Sequence, residues 1–415
     1  MNSGEKIARH YVTRQRVRVV WRDGVIASVE PATAPTEQCW IAPALVDLQV
    51  NGFAGVDFQQ DAPEAGALLG SVTALAAAGC TRFLLTLVTD DWTRLIQRLH
   101  NLRQLRENSA ELRSAIAGWH IEGPFLSAEP GFRGAHDPKW MCDPTRDQIR
   151  VLRESTGSDR VLLTIAPERP GALDAIRFAV SLGFKVSLGH TNAPLDILRR
   201  AVEAGATAFT HLGNGCPREL DRHDNILWRV FDLARENART ADAPAPPTAA
   251  SPEVFVSLIP DAIHVSPGLF RLAHRALGNS VMYVSDAMSA AGAPPGRHKL
   301  GGLVLEVGTD QVVRFPGGTN FAGSALRPID GVFRAAQMLG RRWQEVWNHF
   351  SVTPARMLGI PCELVCGARA DFCVLDESAR EETPRVVTYA SGRRFEIPSR
   401  RPALRPIVFK QDKAP

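Results

Sequence analysis

The stretch IAGWHIEGP, residues 116–124, is a short apolar run that ends in a histidine, a glutamate, a glycine and a proline. Seven other apolar runs occur in the chain, and amphipathic segments such as 65–78 and 91–105 separate them. The eight runs are Ile41–Val50, Thr81–Thr86, Ile116–Ile121, Val161–Ile165, Lys185–Leu188, Ala208–Thr210, Val254–Ile259 and Val281–Val284. Near-continuous apolar strands that alternate with helices are typical of a parallel sheet covered on both faces.

Eight strand–helix repeats predict an α/β fold, a (β/α)₈ TIM-like barrel. An open doubly wound sheet is the alternative. No Gly-x-Gly-x-x-Gly motif follows the first run, which disfavours a dinucleotide-binding version of that alternative. The segment Ala241–Pro252 is rich in alanine and proline, and we interpret it as a flexible surface insertion without a catalytic part.

Both ends of the chain contain short β-rich runs rather than the alternating strand and helix patterns of the middle. Val17–Trp21 and Val25–Val29 flank an Asp-Gly turn, which is a strong hairpin signal. Three more β-rich runs lie near the carboxyl end, at 371–375, 385–389 and 395–397. These patterns predict one small β-sandwich domain formed by both chain termini, residues 1–41 plus 364–415, beside a barrel of residues 42–363.

Composition excludes several classes of protein. The 415 residues are 45% hydrophobic and 22% charged, with a net charge of +4 and no basic block, so neither nucleic acid nor membrane is an expected partner. No apolar run is long enough to span a bilayer, and residues 1–11 lack the apolar stretch of a signal peptide. Seven scattered cysteines indicate reduced thiols. We therefore expect a cytoplasmic protein.

Candidate functional residues follow four of the eight runs. Glu122, His190, His211 and Asp286 come at or just after the ends of the third, fifth, sixth and eighth runs. In a barrel these ends meet on one face. Two imidazoles and a carboxylate are a common ligand set for catalytic Zn²⁺, and a further carboxylate can act as general base. His120 faces the same way as Glu122, and we expect it to support a ligand rather than to be one.

The first run ends in DLQVNG, residues 47–52. Many barrel metallohydrolases place His-x-His here, whereas this chain has Gln49 and Asn51. Neutral amides are poorer ligands than imidazoles, so the sequence favours a single tightly bound ion.

The ordered motifs HIEGP (120–124), GHTN (189–192), THLGN (210–214) and SDA (285–287) resemble those of the N-acetylglucosamine-6-phosphate deacetylases, of the amidohydrolase superfamily. The similarity continues into GSAL (323–326), TPAR (353–356) and GARAD (367–371), and so covers most of the chain.

The resemblance implies a role for each matching residue. It makes Glu122, His190 and His211 the ligands of one divalent metal ion, with Zn²⁺ as first choice and Fe²⁺, Mn²⁺ or Co²⁺ as alternatives, and Asp286 the catalytic acid–base. It also implies a homodimer. The residues that it places against an amino-sugar substrate are Ala135, His136, Asn214, Gly215, Arg222, His264, Phe321, Ala322 and Gly323.

The implied reaction is hydrolysis of the acetamide of N-acetyl-D-glucosamine 6-phosphate to D-glucosamine 6-phosphate and acetate. The chain departs from the family pattern at His223-Asp224-Asn225, in the segment 220–231 and at Arg327. Arg327 is either an anion contact or the partner of Asp330. Because these departures surround the expected sugar and phosphate site, N-acetylgalactosamine 6-phosphate or an unphosphorylated N-acyl compound is an alternative substrate. A non-catalytic barrel that acts as a binding protein is the alternative from another class.

Overall fold

The computed structural model describes residues 2–33, 38–237, 253–318, 322–378 and 382–396. Within these ranges the chain forms twenty strands and eleven α-helices. The strands are β1 (Gly4–His10), β2 (Arg16–Arg22), β3 (Val25–Pro31), β4 (Cys39–Pro43), β5 (Leu45–Val50), β6 (Gly52–Phe53), β7 (Val56–Asp57), β8 (Cys80–Val88), β9 (Ile116–Glu122), β10 (Arg160–Ile165), β11 (Lys185–Leu188), β12 (Ala208–Phe209), β13 (Phe255–Leu258), β14 (Val281–Tyr283), β15 (Gly296–Leu300), β16 (Leu303–Val307), β17 (Val313–Arg314), β18 (Phe372–Asp376), β19 (Arg385–Ala390) and β20 (Arg393–Glu396). The helices are α1 (Ala65–Ala77), α2 (Trp92–Glu107), α3 (Ala110–Ala115), α4 (Arg146–Thr156), α5 (Ala172–Ser181), α6 (Leu195–Glu203), α7 (Ile226–Asn237), α8 (Pro267–Leu277), α9 (Pro328–Leu339), α10 (Trp343–Val346) and α11 (Val352–Leu358).

Eight parallel strands form the expected barrel, in the order β14-β13-β12-β11-β10-β9-β8-β5. The two end strands approach each other through a bridge between Val50 and Ala287, so the barrel is nearly closed. Asp47 supplements this closure, because its carboxylate accepts a hydrogen bond from the Ser285 backbone N–H at 3.2 Å. The barrel prediction is thereby confirmed, and the open-sheet alternative is wrong.

The two ends of the chain combine in a separate β domain, as the sequence predicts. Its strands have the order β20-β19-β18-β4-β1-β2-β3. The sheet curls so that Trp21 of β2 packs against Phe372 of β18 and Tyr389 of β19, with ring centroids 5.2 Å apart in both pairs. The predicted Asp-Gly hairpin joins β2 and β3, and both turn residues have positive φ.

The first predicted run, Ile41–Val50, is two strands rather than one. Strand β4 pairs with β18 in the small domain, and β5 pairs with β8 in the barrel. Between them the Ala44 N–H donates to Asp371 and the Leu45 N–H donates to Gly79, so the chain changes sheets at this point. A continuous apolar run cannot reveal such a break because both strands are buried. The proposed domain limits at residues 41–42 and 363–364 stay a prediction.

The barrel interior is apolar at one end and polar at the other. Leu84, Leu162 and Met282 form an apolar cluster that includes Met357 and Leu358 of α11, which covers the amino-terminal end of the barrel. Further along the strands the buried interior side chains are polar, and they include Gln49, Thr86, His120, Thr164 and Thr210. Buried polar groups require hydrogen-bond partners. This layer therefore supports the groups above it, at the carboxyl ends of the strands.

Two small antiparallel sheets lie outside the barrel ladder. Strands β6 and β7 follow β5, and strands β15 to β17 follow β14. In the part of the chain that the structure describes, no helix is long and apolar enough to cross a membrane. The predicted insertion at Ala241–Pro252 lies outside the described residues.

Candidate active site

The structure brings the four strand-end residues together. Glu122 ends β9, whereas His190, His211 and Asp286 follow β11, β12 and β14. Oε1 of Glu122 lies 2.9 Å from Nε2 of His211 and 3.5 Å from Nε2 of His190. All four residues are buried.

His136 also belongs to this cluster. Its Nε2 lies 4.0 Å from Oε2 of Glu122, and its ring centroid is 4.7 Å from that of His190. One ligand atom from each of Glu122, His136 and His190 fits within 4.8 Å of the others. The sequence resemblance gives His136 a substrate contact, and the structure places it beside the expected ligands as well.

The His190 ring is held so that one nitrogen faces Glu122. Its Nδ1 lies 2.8 Å from the Phe132 carbonyl oxygen, an acceptor, so Nδ1 carries the proton and donates it. Nε2 lies on the Glu122 side, where it interacts with that carboxylate in this structure and, once it carries no proton, can bind a metal ion. Gly134 and Gly215 lie against the ring, because a Cβ at either position would approach it within about 3.0 Å.

Three of the site residues have strained backbones. The φ angles of His190, His211 and Asp286 are 49°, 27° and 49°. Non-glycine residues with positive φ are uncommon and concentrate at functional sites. No sequence pattern in these motifs signals this conformation.

The two carboxylates of the site differ in acidity. Burial alone would raise the pKa of Glu122, but hydrogen bonds from His190 and His211 outweigh it and hold that pKa well below its usual range. Burial, with the nearby Glu122 charge, raises the pKa of Asp286 to about 6. One carboxylate is thus suited to remain an anion, whereas the other can exchange a proton near neutral pH.

The two amides of DLQVNG hydrogen-bond to these carboxylates. Gln49 Nε2 donates to Glu122 Oε1 at 2.9 Å, and Thr210 Oγ1 donates to Gln49 Oε1 at 3.1 Å. Asn51 Nδ2 donates to Asp286 Oδ1 at 2.8 Å. The sequence analysis treats Gln49 and Asn51 only as poor ligands and misses this function. The signal available was their spacing of two, which puts both at the same strand end.

His120 lies beneath the cluster. Its Nε2 is 2.8 Å from Thr164 Oγ1, and its Nδ1 is 3.3 Å from Thr86 Oγ1. Burial lowers the pKa of His120 to about 4, so the ring is neutral. It contacts two threonines rather than the Glu122 carboxylate, and it supports the floor of the site.

His264 is fixed by Asp261, three residues before it. The Asp261 Oδ2 atom lies 2.6 Å from His264 Nδ1, and Oδ1 accepts the backbone N–H groups of Ile263 and His264. Burial disfavours the charged imidazole, but the Asp261 carboxylate outweighs it and raises the pKa of His264. The loop after β13 therefore presents a histidine of defined orientation.

The other residues predicted to contact substrate differ in burial and in their distance from the cluster. The Asn214 N–H donates to the His211 carbonyl, so this residue stays close to the cluster, whereas Ala135 is exposed. Ala322 is buried, and Gly323 packs against Met288, two residues after Asp286. Phe321 lies outside the described residues.

Two arginines singled out by sequence do not reach the cluster. Arg222 is exposed, and its Nε lies 2.9 Å from Nε2 of the neighbouring His223. Arg327 donates through Nε to Asp330 Oδ2 at 2.6 Å. The structure thus shows the Asp330 pairing for Arg327, whereas Nη2 of Arg327 is buried without a hydrogen-bond partner among the described residues, so an anion contact stays a prediction.

The donor set fits a divalent metal ion. A buried carboxylate and imidazole nitrogens crowd together at separations typical of ligand atoms around one small cation. Nδ1 of His211 is buried without a hydrogen-bond partner among the described residues. It carries the proton when Nε2 acts as a ligand.

Comparison with known proteins agrees with the fold. No protein-family model matches the chain. The N-acetylglucosamine-6-phosphate deacetylase of Bos taurus is 34% identical over 363 residues, which cover 85% of this chain and 83% of that protein. The N-acetylgalactosamine-6-phosphate deacetylase of Escherichia coli O157:H7 is 29% identical over 85% of this chain and 89% of its own length.

A solved structure shares the architecture. It is a point mutant of the N-acetyl-D-glucosamine-6-phosphate deacetylase of Mycobacterium smegmatis, in complex with N-acetyl-D-glucosamine 6-phosphate. It has a TM-score of 0.77 and 29% identity, and the match covers 92% of this chain and 95% of that chain.

A (β/α)₈ barrel with a small β domain and a buried Glu–His cluster at the strand ends defines a hydrolase of the amidohydrolase class. The sequence identity between this chain and the Bos taurus protein identifies the family within this class. The chain belongs to the N-acetylglucosamine-6-phosphate deacetylase family.

Proposed function

We propose that this protein hydrolyses the acetamide of N-acetyl-D-glucosamine 6-phosphate to D-glucosamine 6-phosphate and acetate. The observation that carries the proposal is the position of Glu122, whose carboxylate is surrounded by three imidazoles. The Asp286 carboxylate accepts a hydrogen bond from Asn51 instead of taking part in these contacts. The names of the relatives indicate the substrate class.

Glu122, His190 and His211 would hold the metal ion. When bound, the ion acidifies water and polarises the amide carbonyl. Zn²⁺ suits this ligand set best, although Fe²⁺, Mn²⁺ and Co²⁺ share its preferences, and availability decides among them. Gln49 keeps Glu122 oriented for this role through its 2.9 Å hydrogen bond.

Asp286 would carry the proton. Its carboxylate removes a proton from the attacking water and then delivers it to the nitrogen of the departing amine. Asn51 fixes one of its oxygens at 2.8 Å, so the other oxygen remains for the proton. Hydrolysis then leaves a free amine on the sugar and a free acetate.

The surrounding histidines would bind the substrate. His136 lies close enough to the cluster to polarise the carbonyl oxygen as it becomes negative. His264, oriented by Asp261, faces the sugar. Ala135, Asn214, Gly215, Ala322 and Gly323, with Phe321 outside the described residues, line the same loops.

Arg222 would bind the 6-phosphate, because guanidinium groups match phosphate oxygens in geometry and charge. It is exposed in a single chain, which agrees with a contact made in a homodimer. We propose this homodimer and a cytoplasmic location together with the function.

A second candidate substrate is N-acetylgalactosamine 6-phosphate, which differs only in the configuration at one hydroxyl. The similarity to the Escherichia coli deacetylase that is named for this sugar favours it. An unphosphorylated N-acyl compound is the third, because the residues at 223–225 depart from the family pattern.

The deciding experiment measures acetate release from the two phosphorylated sugars and from N-acetylglucosamine, with enzyme of measured metal content. Faster turnover of N-acetylglucosamine 6-phosphate than of both other compounds supports the proposal. Preference for the galactose isomer or for the unphosphorylated sugar would replace the substrate but keep the reaction. No release from any of them by metal-loaded protein would contradict it.

A further inference from the structure

The segment 220–231, where the sequence departs from the family pattern, is held by Arg229 of helix α7. Arg229 Nε donates to Asp224 Oδ1 at 2.6 Å, and Nη2 donates to Asp224 Oδ2 at 2.8 Å. This is the bidentate geometry in which arginine and carboxylate match best. The Arg229 side chain is only 14% exposed, so it is more firmly placed than an ordinary surface arginine.

The remaining nitrogen of Arg229 reaches a different loop. Nη1 donates to the Asn192 carbonyl at 3.0 Å, to Asn192 Oδ1 at 3.2 Å and to the Ala193 carbonyl at 3.2 Å. Asn192 is two residues after His190, and its backbone N–H donates to Glu168 Oε1 at 3.0 Å. One guanidinium therefore ties the segment after β12 to the loop that carries a proposed metal ligand.

Asp224 belongs to a tight turn that also contains Arg222. Oδ1 of Asp221 accepts the backbone N–H groups of His223 and Asp224, at 2.7 and 3.0 Å. The Asn225 side chain donates to the Asp221 carbonyl at 2.7 Å and accepts the Leu227 N–H at 2.9 Å. The turn is internally stiff, so the Asp224 contact places it as a unit, with Arg222 included.

Among the described residues, the Arg222 side chain contacts the neighbouring His223 and not the metal cluster. Its position relative to the cluster depends on the turn. We propose that the Arg229–Asp224 pair is a positioning device that fixes the Arg222 turn against the His190 loop and so sets the affinity for the phosphate end of the substrate. This inference rests on the proposed function, since it requires a phosphorylated substrate.

Two variants test the proposal. Asp224→Asn removes the charge at an exposed position, and Arg229→Lys keeps the positive charge but loses the fork. The matched control is Asp174→Asn, which breaks a similar bidentate pair with Arg146 between α4 and α5, at 2.6 and 2.7 Å. The measurements are kcat and KM for N-acetylglucosamine 6-phosphate and for N-acetylglucosamine, together with metal content and Tm.

Both variants are expected to raise KM for the phosphorylated sugar by roughly 10-fold to 100-fold, with kcat within about twofold of the parent enzyme. kcat/KM for the unphosphorylated sugar, metal content and Tm stay as in the Asp174→Asn control. Equal losses on both sugars would show a general structural role and overturn the inference, and so would an unchanged KM in both variants. A parent enzyme without preference for the phosphorylated sugar would instead overturn the proposed function, and the inference with it.

Discussion

Gln49 donates a hydrogen bond to the same Glu122 oxygen that lies closest to His211. The Gln49 Nε2 and His211 Nε2 atoms are each 2.9 Å from Oε1 of Glu122, and Thr210 in turn donates to Gln49. A neutral amide thus contacts the carboxylate that we expect to bind the metal ion. It orients the carboxylate without competing for a metal ion.

Replacement of Gln49 by leucine tests this orientation. Gln49→Leu removes one of the two hydrogen bonds to Glu122 Oε1 and leaves the Thr210 hydroxyl without its acceptor. We therefore expect the metal dissociation constant to rise by roughly 10-fold to 100-fold. The free energy of unfolding should fall by about 1–3 kcal/mol. Calorimetric metal titration and urea unfolding measure the two effects. Gln97→Leu, at an exposed position on α2, is the control, and an equal metal affinity in both variants would contradict the assignment.

The proton-transfer role of Asp286 predicts a selective loss of rate. Asp286→Asn should lower kcat by roughly 10²-fold to 10⁴-fold, the usual size of a general acid–base contribution. Metal content should stay the same, because Glu122, His190 and His211 remain. Asp137→Asn, an exposed carboxylate beside His136, should leave kcat within about twofold. Near-normal turnover by metal-loaded Asp286→Asn would refute the mechanism.

Metal removal should destabilise the protein, because an ion bound to Glu122, His190 and His211 stabilises the folded state. A ligand present at about 100 times its dissociation constant stabilises the folded state by about 2.7 kcal/mol. Addition of a chelator should therefore lower Tm of the parent enzyme. In Glu122→Gln the carboxylate charge is lost, and the chelator should have little effect. Thermal scans with and without chelator decide the matter, and equal shifts in the two proteins would place the metal elsewhere.

The barrel and the place of its site are predictable from sequence because both follow from periodicity. Apolar runs that alternate with helices require a parallel sheet, and parallel strands bring Glu122, His190, His211 and Asp286 to one end. Long-range polar partners leave no such trace. Neither the amide contacts of Gln49 and Asn51 nor the proximity of His136 to Glu122 can be derived from local sequence.

The departures from the family pattern also separate what local sequence predicts from what only the structure shows. The sequence identifies residues 223–225 as unusual but assigns them no function, because the partner of Asp224 is five residues away and that partner's other contacts lie on a different loop. For Arg327 the outcome was simpler: Asp330 lies one helical turn away, and local spacing already offered that pairing.

Asp47 predicts a pH dependence of stability at the barrel seam. Burial raises the pKa of Asp47 to about 7, although hydrogen bonds from Ser285 and the Gln49 backbone oppose it. The folded state then binds more protons than the unfolded state between the ordinary pKa of 3.8 and about 7. Stability should therefore fall as pH rises through this window, by up to about 1.4 kcal/mol per pH unit from this group.

Asp47→Asn removes that contribution while it keeps an oxygen for the Ser285 N–H. Relative to the parent, the variant should gain stability progressively as pH rises from about 4 to about 7. Urea unfolding across this range measures the difference. Asp196→Asn, on the exposed side of α6, provides the control. A difference that is constant with pH would show that Asp47 is ionised in the folded protein throughout.

His274 predicts a dependence of the opposite sign. It is buried on α8, its Nε2 lies 2.8 Å from the Tyr283 hydroxyl, and its ring is 4.7 Å from that of His349. Burial, with a smaller effect of His349, lowers the pKa of His274 to about 3. Between its ordinary value of 6.5 and about 3, the unfolded state binds more protons. Stability should therefore fall as pH decreases through this window.

His274→Gln tests this prediction, because an amide can still pair with the Tyr283 hydroxyl but does not titrate. Over the interval from about pH 7.5 to about pH 5 the parent should lose about 2 kcal/mol through His274, a loss that the variant avoids. The variant is therefore expected to be less sensitive to acid even if it is less stable at neutral pH. Urea midpoints at both pH values measure the difference, with His100→Gln on the exposed face of α2 as control. Equal acid sensitivity of the parent and His274→Gln would show that the folded protein accommodates a protonated ring at this position, and that the Tyr283–His349 surroundings do not hold it neutral.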